Sequence, residues 1–433
     1  MMTKMLNFIR DLESYMSIHK LILSFTLIVV ISNGQSVYNS HGLGIMKSSF
    51  FSSSDGAGSI GLVPTFTPKV SLNNPSTWSN LNFSYVNTSY FAHSVKFKDA
   101  SNSSFSSQFS GIQFLIPIRK KYGVAFSVKP TNNHNSFIST DTSRFQMFDE
   151  YLETFKEFRS GGGLMASNFA FSAPINSQMN VGVSYYYFFG SSRNEKSVIL
   201  NSTYYRSLNI NTYKGSKYDI YFSGKMFDSN NLSINIYSKI GQSLDPISGY
   251  SYNFDFFEDT DNNYVPSSND FPLDTDVDTV RFESAYAPND FSLGLNIDLK
   301  NSVNVFSEFE LWSDNAESND FFSLNNDQIQ SKSHLGFGLV KFGNREARDW
   351  QDKITMRMGV YRKNYSYLSS KKLIENGMSL GFGIKFSSTG NQLDVSYKRG
   401  TRSSEDYFNE IFNEITFGIS IGDVWFLRRR AKQ

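Results

Sequence analysis

Most of what this chain can fold into is decided by a two-residue alternation. It recurs from Leu81 to the C-terminal end, and no stretch beyond residue 31 is long and apolar enough for a membrane-crossing helix. Between Glu414 and Phe426, Ile415, Phe417, Ile419 and Ile421 fall on one face and Thr416, Gly418, Ser420 and Gly422 on the other. Trp425, Phe426 and a basic tail from Arg428 to Lys432 follow. Phe291, Leu293, Leu295, Ile297 and Leu299 alternate in the same way with Ser292, Gly294, Asn296 and Asp298, as do Leu380, Phe382, Ile384 and Phe386 with Gly381, Gly383 and Lys385. Such segments are strands with two unlike faces, about as long as the ~9–11 residues a tilted membrane strand needs. In a bilayer every backbone polar group must be paired, so strands can cross only as a closed barrel. A soluble sandwich is disfavoured by the number of long two-faced strands.

Composition supports the barrel. Aromatic residues are 16% of the chain, with 41 Phe and 24 Tyr against 4 Trp, beside plentiful Ser and Asn. Strands with one apolar and one wet face use this mixture. There is no cysteine, so there is no disulfide, thiolate metal site or cysteine nucleophile. The chain carries 41 basic and 40 acidic residues, which gives no basic surplus for a nucleic-acid partner. Lys20 precedes an apolar run from Leu21 to Ile31, and Ser32-Asn33-Gly34 follows it. This reads as a signal peptide over 1–34, with Met16 an alternative start, on a protein exported to the outer membrane.

The expected organisation is a plug or hatch over 35–80, a transmembrane barrel over 81–427 and a basic tail over 428–433. The plug segment is rich in Ser, Gly and Asn and ends in Asn73-Asn74-Pro75-Ser76-Thr77-Trp78. The alternation predicts an all-β antiparallel barrel of 14 to 16 strands. Segments 201–211 and 215–226, and 279–287 and 290–299, are read as separate strands. Short turns such as Arg119-Lys120-Lys121 alternate with long polar connections, as expected of short periplasmic turns and long outer loops. The segment 242–278 breaks this alternation, falling on the short-turn side.

Several stretches are candidates for chemistry. Asp259, Asp261 and Asn263 have the alternate-residue oxygen spacing that opens many calcium loops, but the glycine and closing glutamate of an EF-hand are missing. Phe148, Leu152 and Phe155, with Tyr151 and Phe158, have helical spacing and predict an amphipathic helix in an outer loop, at an entry groove or packed on the rim. Tyr185 to Phe189 places aromatics on both faces of a strand, and Tyr186 and Phe188 are the candidates to line a substrate path. Gly161-Gly162-Gly163 marks a kink or opening rather than a phosphate loop. Of the five histidines only His93 and His334 fall on strands, and neither follows a nucleophile motif, so the chain is not expected to be an enzyme.

The block from Tyr38-Asn39-Ser40-His41-Gly42-Leu43-Gly44 to Asn73-Asn74-Pro75-Ser76 resembles the plug region of FadL-like outer-membrane proteins of the Bacteroidetes and their relatives. The ending Gly422-Asp423-Val424-Trp425-Phe426-Leu427-Arg428-Arg429 is similar to their C-termini. The resemblance covers about the first fifth and the last twentieth of the chain. It implies a 14-stranded barrel, plugged by an N-terminal hatch, that passes hydrophobic molecules through a lateral opening at a kinked strand. By position, Asn74 and Pro75 would belong to the hatch. The implied partners are membrane lipids, a fatty-acid-like or aromatic small molecule, and the outer-membrane assembly machinery during insertion. The alternative is a structural or secretion-associated surface barrel with no transport role. A continuous apolar track through the lumen favours the first and a salt-bridge-filled lumen the second.

Overall fold

A computed structural model describes residues 36–423 apart from 48, 98–102, 120, 148–149, 231, 273–276, 300–301, 317–326, 345–346, 348, 350, 387–389 and 406–408. The expected signal peptide and the aromatic-basic ending at 424–433 lie outside the described residues.

Alternation in sequence becomes an inverted alternation in burial. Phe291, Leu293 and Leu295 are 38–41% exposed, while Ser292 and Asn296 between them are fully buried. A soluble core would reverse this order. Apolar side chains face outward as a lipid-contacting belt and polar ones face a filled lumen.

The strands are β1 (Ile45–Met46), β2 (Ser84–Phe97), β3 (Ser103–Ile118), β4 (Tyr122–Pro130), β5 (Asn132–Asn133), β6 (Ser136–Ser139), β7 (Ser143–Met147), β8 (Glu150–Pro174), β9 (Met179–Leu200), β10 (Thr203–Ser229), β11 (Leu232–Glu258), β12 (Val277–Tyr286), β13 (Pro288–Leu299), β14 (Val303–Asp314), β15 (Ile329–Lys341), β16 (Ile354–Tyr367), β17 (Lys372–Phe386), β18 (Asn391–Ser403) and β19 (Glu410–Asp423). They close antiparallel, with β19 pairing β2 from Glu410↔Phe97 to Asp423↔Ser84. The wall has 14 strand positions. It is smaller than the upper expectation for two reasons. Segments 201–211 and 215–226 are one strand, β10. Strands β12 and β13 share one position, both pairing along β11 and breaking at Ala287.

The anomaly at 242–278 resolves in the same way. β11 runs 27 residues to Glu258, so residues 242–258 of that segment are strand rather than connection. β8, β9 and β10 are 25, 22 and 27 residues long. A membrane strand needs only ~9–11 residues, so the upper halves of these four project beyond the bilayer as a ridge.

The expected helix at 148–158 does not form. Phe148 lies outside the described residues, and Leu152 and Phe155 lie on β8, where Phe145 pairs with Leu152 and Phe155 with Ile199. Two ladders satisfy every backbone group that a lone helical turn would leave to water, so cross-strand pairing overrides the helical spacing.

Residues 36–82 fold inside the barrel. One helical turn, Ser52–Asp55, lies against β17, β18 and β19, and the 3₁₀ turn Pro75–Asn80 lies against β4, β8, β9 and β10. Asn74 caps that turn, its Oδ1 accepting from Ser76 N at 3.0 Å, while its Nδ2 donates to Leu62 O at 2.7 Å. Pro75 sits at the first position, where a missing N–H costs nothing. Trp78 and Leu81 pack with Phe66, Leu72 and wall residues Leu115 and Ala170 at one end of the lumen. Tyr38, Leu43 and Ile45 pack with Tyr286, Trp312, Tyr365 and Tyr367 at the other.

Candidate functional site in the barrel lumen

The site begins where one wall strand leaves the wall. β4 pairs with β8 as far as Pro130↔Met165, and β6 rejoins β8 at Ser136↔Ser160. Between them residues 131–135 turn into the lumen. There β5 pairs with β1, Met46 against Asn132 and Ile45 against Asn133. Thr131 N donates to Leu164 O at 2.9 Å, Lys47 N donates to Thr131 O at 3.1 Å, and Asn132 Oδ1 accepts from Leu164 N at 2.8 Å. Asn132 Nδ2 also donates to Leu43 O. On its other edge β4 pairs β3 only from Tyr122↔Ile118 to Val128↔Ile112, so among the described residues no ladder continues the wall from β3 above that point.

The glycine triplet is not itself the kink. β8 stays in register with β9 through Gly161↔Arg193, Gly162↔Ser192 and Gly163↔Ser191. Gly163, at φ +137°, lies opposite the excursion, and a Cβ there would come 2.9 Å from Asn132 Oδ1. The missing side chain makes room for the inward fold of β5.

A cavity of about 170 Å³ lies beside this contact. Leu43, Met46 and Phe50 of the luminal segment, Leu164 and Phe188 of the wall, and Trp312 opposite give it an apolar lining. Tyr186 and Phe188 both face it, stacked with ring centroids 6.5 Å apart, while Tyr185 and Tyr187 point outward. Asn74 and Pro75 belong to the far end of the luminal segment and do not line it. Leu152, Phe155 and the outer loop are also remote.

The cavity floor is charged. Lys217 pairs with Asp219 at 2.9 Å and with Asp290. Lys239 pairs with Asp290 at 3.0 Å and with Glu310 at 3.4 Å, and Lys332 with Glu310 at 2.7 Å. Further round the wall Glu375 joins Lys363 at 3.1 Å and Arg402 at 2.8 Å, and Lys398 joins Glu414 at 2.6 Å. Two ammonium groups on the cavity stand apart from this network. Lys47 Nζ lies 3.1 Å from the Phe91 ring centroid and Lys129 Nζ 4.1 Å from that of Phe50, and neither has a carboxylate within 4 Å among the described residues. The lining thus holds five lysines against the three carboxylates of Asp219, Asp290 and Glu310. Burial pushes the Lys47 ammonium down to about 7. Composition hid these residues, because a neutral total conceals a local surplus. Inward parity on β4 and β10 was the available signal for Lys129 and Lys217, and Lys47, beyond the end of β1, had none.

Outside the lumen, the oxygens of Asp259, Asp261 and Asp270 lie within 4.8 Å of one another. Asn263 supplies donors instead, its N–H to Asp259 at 3.1 Å and its Nδ2 to Asp261 at 2.9 Å. Asp259 is held by Arg206 at 2.5 Å, and Asp270 accepts from Thr260 N at 2.9 Å. The loop's carboxylates are thus engaged by its own donors.

A family model described as BamG matches residues 16–432. No curated protein matches the sequence. Among solved structures, a Pseudomonas aeruginosa FadL homologue is similar at 10% identity and TM-score 0.52, over 87% of this chain and 98% of that one. The CymD monoaromatic hydrocarbon channel is similar at 10% identity and TM-score 0.50, over 86% and 97%. At that identity the likeness is one of fold: an outer-membrane barrel of the FadL type.

Proposed function

This chain belongs to the BamG family, and for this member we propose a passive outer-membrane channel for a small hydrophobic molecule, fatty-acid-like rather than neutral, with residues 36–50 as the movable part of a hatch. The observation that carries this reading is the cavity at the β1–β5 contact, apolar on most sides and bounded by two unpaired lysines. A buried ammonium without a counter-charge is costly, and an acidic head beside Lys47 and Lys129 removes that cost while its tail meets Leu43, Leu164 and Phe188. Release of two residue pairs of β1 from β5 would join the cavity to the interrupted wall between β3 and β8.

Because the chain lacks cysteine, the contact can be locked selectively. Met46→Cys with Asn132→Cys, oxidised, is expected to stop uptake of a labelled medium-chain carboxylate into proteoliposomes, and reduction to restore it. Lys47→Met with Lys129→Met is expected to lower carboxylate uptake at least tenfold. Uptake that equals protein-free vesicles in the reduced state overturns the reading. A second reading, a sealed surface barrel without transport, is favoured by the ion network lining β10 to β19, and that same null result would support it.

A further inference from the structure

Around the outside of the barrel, the two flanks treat their cations differently. On the projecting ridge exposed arginines are paired, Arg144 with Glu153 at 2.5 Å and Arg281 with Glu283 at 3.5 Å. On the flank from β16 to β2 they are not. Outward positions there follow one register row from Arg362 to Asn376, Thr401, Ile411 and Lys96. One pleat lower, the row runs Val360, Met378, Arg399, Asn413 and Ser94. Arg362, Arg399 and Lys96 are exposed, and among the described residues no carboxylate lies within 4 Å of any of them. With strands ~4.8 Å apart and a rise of ~3.3 Å per residue, Arg399 lies roughly 12 Å from each of the other two along the backbone.

Directly below them the wall is apolar. Val360 and Met378 are 56% and 62% exposed, and the next row down is Met358, Leu380, Tyr397 and Ile415. The cations therefore stand at the upper margin of the lipid-facing belt, on the side where the long outer connections lie. Three unpaired cations over an acyl-contacting surface match a lipid whose headgroup carries more than one negative charge.

We propose that Arg362, Arg399 and Lys96 form a binding site for the phosphorylated headgroup of an outer-leaflet glycolipid, whose acyl chains lie on Val360, Met378 and Leu380. The site belongs to the outer wall and is independent of the luminal cavity. Long basic side chains can spread their charge while their stems cover apolar surface, so one headgroup can engage all three.

The test uses full-length protein in phosphatidylcholine nanodiscs containing lipid A, dephosphorylated lipid A or neither, with inorganic phosphate as a separate arm. The comparison variant is Arg362→Gln, Arg399→Gln and Lys96→Gln together, which removes the charges and keeps polar side chains. Its heat-modifiable migration reports whether the barrel is assembled. Lipid A is expected to raise the melting temperature of the natural chain, and to be retained by it through detergent washing at least tenfold more than by the variant. Dephosphorylated lipid A and inorganic phosphate are expected to do neither. Equal retention by an assembled variant, an equal response to dephosphorylated lipid A, or a shift with inorganic phosphate alone would overturn the proposal. Should the triple variant fail to assemble, Arg399→Gln alone is expected to lower retention severalfold, and unchanged retention by it would count against the site.

Discussion

The two sides of the lumen hold the N-terminal segment in different ways. On the β15–β19 side it lies on bare backbone. A Cβ on Gly359 would come 1.9 Å from Ala57 O, and one on Gly381 2.9 Å from Gly56 Cα. Nearby, Asp55 reaches Lys398 at 3.4 Å and Ser52 Oγ donates to Thr416 O at 3.0 Å. Glu308 accepts from Ile60 N and Val63 N, both at 2.7 Å. On the β4–β8 side, above the turn Pro75–Asn80, residues 43–47 are held by two residue pairs of β1 with β5, the Lys47 N–H to Thr131 O and the side chain of Asn132. The first side is a seat and the second a hinge. In the proposed hatch, residues 52–63 would stay anchored while residues 43–47 come away from β5.

That contrast can be broken or sharpened by substitution. The largest effect is expected from Glu310→Ala, which leaves the buried Lys239 and Lys332 ammoniums without a shared carboxylate. Loss of one partner from a buried ion pair costs about 3–5 kcal/mol, readable by denaturant unfolding in detergent. Gly359→Val drives a side chain into the Ala57 carbonyl and is expected to cost about 1–3 kcal/mol. Its signature is faster amide exchange at 52–63, the seat, and no such increase there would contradict the assignment.

Acidification acts on the opposite end of the segment. Burial lowers His41 from 6.5 to about 4, so the unfolded chain binds its proton first and stability falls as pH drops below 6.5. Moving from pH 7.5 to pH 5 is expected to weaken the packing of residues 38–44 by about 2 kcal/mol, a loss that His41→Phe removes. Asn132→Ala withdraws the acceptor for Leu164 N and is expected to cost about 1–2 kcal/mol. It should speed exchange at 43–47 and leave 52–63 protected. If both segments respond together, the segment moves as one body and the distinction between seat and hinge fails. The smallest effect is expected outside the lumen. Chelation or addition of calcium should leave the melting temperature unchanged, because Asp259, Asp261 and Asp270 are already met by the loop's own donors.

Much of the wall was legible because lipid makes alternation obligatory. Phe291 to Leu299 could be assigned to faces from sequence alone, and so could the inward Tyr186 and Phe188. What stayed hidden depends on partners distant in sequence. Pro130 to Asn135 reads as an ordinary polar loop, and only pairing with Ile45 and Met46 turns it inward. Leu152 and Phe155, three residues apart, fit one face of a helix and opposite faces of a strand, and pairing of β8 with β7 and β9 overrides that spacing. Lys47 and Lys129 are single charges within a balanced total, and their isolation is a property of the assembled cavity.

The long strands of the ridge have a consequence for traffic. At ~3.3 Å per residue and a tilt near 45°, a 27-residue strand rises roughly 60 Å, against an apolar band ~25 Å tall. About 35 Å of sheet therefore stands above one rim only. A molecule diffusing in from outside meets a windbreak on that flank and open water on the other, so its arrival at the mouth has a direction set before any contact with the lumen is made.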